Sequence, residues 1–161
     1  MGRIVFSEIG LIHLIASIIA LIAGTLVLSA AKGTKFHKTV GYVYAASMTI
    51  LIVTAFCIYR LFGGFGIFHV AAIVSALTLA GGVVPAILRR PRKTWLGLHY
   101  SFMFWSVVGL YAAFVSEIMT RVPGLRFYSW LAISIAAVMT AGYLIFFFYK
   151  SRWQQLAKAY N

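Results

Sequence analysis

The chain has 161 residues, 63% of them hydrophobic and 10% charged, with 14 Lys and Arg against 2 acidic residues and a net charge of +12. A soluble domain of this size needs a polar skin that such a composition cannot supply, so the chain reads as a polytopic membrane protein. The cations fall in alternate loops, as a membrane topology demands, and this excludes nucleic acid as the reason for the charge.

Apolar runs of about 20 residues, the length that crosses a hydrocarbon core of ~30 Å, recur along the chain. The predicted spans are 5–31, 38–62, 66–88, 95–120 and 127–149. The first is too long for a signal-peptide core, has only Arg3 before it and is followed by lysines, so it reads as a retained helix entering from outside. Lys32-Gly33 stops it. The second span carries Cys57, a lone cysteine that leaves no disulfide framework or CxxC site and reads as a small buried hydrophobe. Gly63-Gly64 with Gly66 makes the next turn, Arg89-Arg90-Pro91 closes the third span, and Pro123-Gly124 separates the last two. WQQLAKAYN, within the 150–161 tail, reads as an amphipathic segment on the inner surface.

Connections this short force neighbouring helices to run antiparallel. The expected fold is all-α, a single domain over 1–161, built as an antiparallel up-down bundle of five transmembrane helices. Lys32, Lys35, Lys38, the RRPRK run at 89–93 and Lys150, Arg152 and Lys158 lie on one side. Arg3, Arg60, Arg121 and Arg126 lie on the other. This predicts an N-terminus outside and a C-terminus in the cytoplasm, with anionic lipids at the inner face.

The 4 histidines, His13, His37, His69 and His99, each fall near the start of a different helix among the first four. Alternating helix directions place His13 and His69 toward the outer face and His37 and His99 toward the inner one. Ionisable residues within a span are costly and usually face the bundle interior. Small residues share helix faces with these rings: Ala16, Ala20 and Gly24 after His13, Gly41 after His37, Ala72 after His69, and Ser106 and Gly109 after His99. They leave room for a flat ligand such as a porphyrin, or simply let helices approach closely. Facing histidines can hold a b-type haem.

HKTVG, carrying His37, resembles the H-[RK]-x-x-G element of cytochrome b561-like di-haem membrane proteins. RPRKTWLGLHY, carrying His99, is similar to the basic stretch before another of their haem helices. The HKTVG-like element lies on the third histidine helix there and on the second here. The resemblance implies one or two b haems, with His13 pairing His69 and His37 pairing His99, and a quinone or other redox partner. KGTKFHKTVGYVY, FGIFHVAAIVSALT and LHYSFMFWSVVGLYAAFVSEIMTRVP resemble signature segments of a family of uncharacterised five-span bacterial membrane proteins, which implies the bacterial inner (plasma) membrane.

Glu117 follows His99 by five helical turns on the same face, about 27 Å along the axis. His13, His69 and Glu117 are therefore a rival ligand set for zinc or non-haem iron in the outer layer. Arg121, four residues on, offers Glu117 an ordinary helical ion pair instead. Glu8 reads as an interfacial group pairing with Arg60 or Arg121. Tyr42, Tyr44, Tyr59, Tyr100, Trp95, Trp105 and Trp130 read mostly as an aromatic belt, and Met48 and Met103 as packing residues able to act as axial ligands. Three functional readings stand at this point: an electron-transferring haem protein, a membrane metal-binding protein or metalloenzyme, and a non-catalytic helical subunit.

Overall fold

The computed structural model describes residues 8–58 and 63–160, with the backbone alone at 152, 154 and 156–160. These residues form five helices and no strand: α1 (Glu8–Ser29), α2 (Lys35–Ala55), α3 (Ile67–Leu88), α4 (Trp95–Met119) and α5 (Phe127–Tyr160). All five are long and apolar enough to cross a membrane. Arg3, Tyr59, Arg60 and the expected span residues 5–7 and 61–62 lie outside the described residues, as does any Glu8–Arg60 pair.

Two compact units divide the chain, Met1–Leu77 and Thr78–Asn161. In the first, α1 and α2 pack antiparallel. Val27 lies beside Gly41, and His13 meets Thr54 at the far end. The buried stripe of α1 is Ala16, Ala20, Ala23, Gly24 and Val27, whose small side chains admit the larger Tyr44, Met48 and Ile52 of α2. Tyr44 is wholly buried here, so it belongs to the core and not to an aromatic belt.

The ends of α2 differ from the expected span for local reasons. Thr34 accepts a hydrogen bond from the His37 backbone N–H at 3.1 Å, an N-cap that starts the helix at Lys35 and takes both Lys35 and Lys38 into it. At the other end the chain tightens into i→i+3 turns, Cys57 N–H to Thr54 O at 3.0 Å and Ile58 N–H to Ala55 O at 3.3 Å. Cys57 is exposed, which corrects its reading as a buried hydrophobe.

In the second unit, Gly81 and Gly82 of α3 meet α4 at close range. A Cβ at Gly82 would lie 2.6 Å from Met103 Sδ and 3.1 Å from the Met103 backbone nitrogen, so only glycine permits this approach. α4 and α5 run antiparallel, with Phe104 opposite Phe146 (ring centroids 5.4 Å apart) and Val108 opposite Gly142. The same register brings Ser116 level with Ser134, and both are buried. α5 does not end at 149. It continues as helix to Tyr160, and Trp153 packs on the rings of Tyr100, Phe104 and Phe146. The first turn of the expected tail is thereby anchored to α4.

Candidate functional site

His13 lies in the second turn of α1, half-buried, with Nδ1 2.9 Å from Thr54 Oγ1. The Thr54 hydroxyl already donates its single proton to the carbonyls of Ile50 (2.8 Å) and Leu51 (3.0 Å). It can therefore only accept from the imidazole. Nδ1 thus carries a proton, and Nε2 is the nitrogen through which a neutral ring would ligate.

His69 is 3% exposed, at the first turn of α3. Its ring stacks on Phe65 (5.0 Å) and lies against Phe56 (6.1 Å). Nδ1 accepts from the Gly66 N–H at 3.1 Å, while the His69 N–H donates to Gly66 O at 3.0 Å. This reciprocal pair closes the helix start in the manner of a capping box. A neutral His69 thus carries its proton on Nε2, and ligation through Nε2 requires Nδ1 to give up the Gly66 bond.

His99, early in α4, is half-buried, and its Nδ1 lies 2.8 Å from the Gly82 carbonyl oxygen. A carbonyl only accepts, so Nδ1 carries a proton. An imidazole whose Nδ1–H is fixed by a backbone carbonyl is the arrangement that orients a metal-ligating histidine. The bond forms where α3 is locally modified: Pro85 has no N–H for the Gly81 carbonyl, and the two glycines let α4 approach. Gly82 and Thr54, the groups that set the two tautomers, were not among the candidates from sequence. The Gly-Gly pair with Pro85 three residues on was the available signal for Gly82.

His37 sits in the first turn of α2, half-buried, with its backbone N–H held by Thr34. Nearby, Lys32 Nζ donates to the carbonyls of Val27 (2.8 Å) and Leu28 (2.7 Å) and so caps the C-terminus of α1. Burial pulls the Lys32 pKa below its ordinary value, although these two carbonyls favour the charged form.

Glu117 is exposed near the end of α4, where its carboxylate pairs with the Arg121 guanidinium. Arg121 also donates to the Glu117 carbonyl at 2.7 Å. The helical pairing is thus formed, and Arg121, also considered as a partner for Glu8, is engaged by Glu117. Among the described residues, no three His, Cys, Asp or Glu side chains gather into a cation site. Met48 (1% exposed) and Met103 (8%) are core residues of their units, Met103 lying against Gly82. Of the small residues beside the histidines, Ala16, Ala20, Gly24, Ala72 and Ser106 are buried in their units, while Gly109 opens onto free space.

Residues 10–153 match the model of a family described as predicted membrane protein (DUF2306). No curated protein matches the chain, and no solved structure does.

Proposed function

The chain belongs to that membrane-protein family, and we propose that it is a small transmembrane cytochrome that holds b-type haem through histidine Nε2 atoms. Haem would supply one-electron transfer there, and the protein would supply histidine ligands, burial and orientation. The observation that carries the reading is the His99–Gly82 bond, which holds the ring through Nδ1 and makes Nε2 the nitrogen that would ligate. His13, held by Thr54, has the same tautomer. His69 is a ligand only after exchanging its Gly66 bond, at a cost of about 1 kcal/mol.

The chain's topology follows its cations, with the C-terminus in the cytoplasm and the protein in the bacterial inner membrane. Haem held by these histidines would carry electrons between a donor and an acceptor on opposite sides, with a membrane quinone as one partner by chemical class. No specific observation favours zinc or non-haem iron, because the Glu117 carboxylate is engaged by Arg121.

Haemin titration of the full-length protein in detergent tests the proposal. A saturable Soret band, shifting on dithionite reduction and reduced several-fold in His99→Ala, is expected. A variant that folds as wild type and binds haemin equally well removes His99 from the site.

A further inference from the structure

An apolar groove of about 190 Å³ runs between α1 and α2, lined by Ile19, Ile22, Ala23, Leu26, Val40 and Val43. Ile19, Ile22, Leu26 and Val43 are also exposed, so the groove opens toward the hydrocarbon that surrounds spanning helices. The segment that joins the two helices is charged, with Lys32, Lys35 and Lys38. Lys32 folds back over the last turn of α1, with Nζ bonded to the carbonyls of Val27 and Leu28, the two residues after Leu26. α2 begins at Lys35, five residues before Val40, so its positive dipole end lies about 7.5 Å along the axis from the groove. Lys35 and Lys38 are exposed there, and Phe36 is 56% exposed on the same helical face as Val40 and Val43.

We propose that this groove binds one anionic phospholipid, with an acyl chain along the six apolar residues and the phosphate between the Lys32 ammonium and the first turn of α2. Charge selects the occupant. A zwitterionic lipid carries its own cation toward these lysines, whereas an anionic one neutralises them. A second copy related by an axis along the membrane normal would bring the same lysines together. A phosphate beside Lys32 also compensates the burial of its ammonium.

Native mass spectrometry of the delipidated full chain tests this, with phosphatidylglycerol and phosphatidylcholine of identical acyl chains as probes. Wild-type protein is expected to retain the anionic lipid roughly ten-fold more tightly, and Lys35→Gln/Lys38→Gln to lose most of that preference. Val43→Trp, on the exposed face, is expected to weaken both lipids by closing the groove. Equal affinity for the two lipids in wild type overturns the proposal, as does an undiminished preference in the double variant. Competition by millimolar inorganic phosphate shows a free-anion site instead, and a dimer dissociated by Val43→Trp with lipid binding unchanged assigns the face to a second copy. Either result overturns it.

Discussion

His99 of α4 donates through Nδ1 to the carbonyl oxygen of Gly82 in α3, at 2.8 Å. The bond ties an imidazole tautomer to a backbone atom, and it depends on a close approach that only glycine allows. Gly82→Ala should therefore act at two levels. Its Cβ meets the flexible Met103 Sδ but also the Met103 backbone nitrogen, so overpacking should cost about 1–3 kcal/mol. Displacing α4 should also loosen His99. Thermal unfolding in detergent reads the first effect and haemin affinity the second. An unchanged melting temperature would show that the two helices are not in this contact.

The α4–α5 seam makes an independent prediction. A Cβ at Gly142 would lie 2.6 Å from Val108 Cγ1, so Gly142→Ala should destabilise by about 1–3 kcal/mol. Val108→Ala removes the atom in the way, and Gly142→Ala/Val108→Ala should recover much of the loss. Strict additivity in this cycle contradicts the contact.

Ser116 and Ser134 carry buried hydroxyls with no hydrogen-bond partner among the described residues. Removing a buried, unsatisfied polar atom of small volume is close to neutral or stabilising. Ser116→Ala and Ser134→Ala should each leave the unfolding temperature unchanged or raise it. A loss of more than about 1 kcal/mol would mean that these hydroxyls are hydrogen-bonded.

Thr54→Val removes the acceptor for His13 while keeping the side-chain shape. The cost should be about 1–2 kcal/mol from leaving the imidazole N–H without its acceptor. Under the haem reading the orientation of His13 also loosens, and the reduction potential of any haem bound there should shift. Identical stability and potential in Thr54→Val separate His13 from both roles.

Glu117 discriminates between the cofactor readings. Its pair with Arg121 is exposed and of the helical i,i+4 kind, worth a few tenths of a kcal/mol. Glu117→Gln should therefore leave stability and metal content unchanged. Loss of a stoichiometric zinc or iron in this variant, by elemental analysis, would restore the rival metal site.

The spans were legible because lipid solvates a long apolar run and the breaks were written in Gly, Pro and Lys. The starts of α3, α4 and α5 fell within a residue of expectation for that reason. The start of α2 was not legible, because the Thr34 cap begins the helix inside the lysine cluster and not after it. α5 extends past its apolar run because the aromatic contacts of Trp153 continue the seam that the run itself only begins. Tyr44 looked like an interfacial anchor and proved to be core, since burial depends on the small residues of α1 opposite it. The four histidines were legible as candidates. The tautomers of His13, His69 and His99 were not, because they depend on contacts with Thr54, Gly66 and Gly82 that form only in three dimensions.

The reduced-minus-oxidised absorption spectrum of the full-length protein, purified from cells supplied with haem and quantified per chain, tests the central claim most directly. The account predicts b-type bands at no less than about one haem per chain, strongly diminished in His99→Ala. A folded protein that stays colourless after haem supply and haemin titration contradicts it.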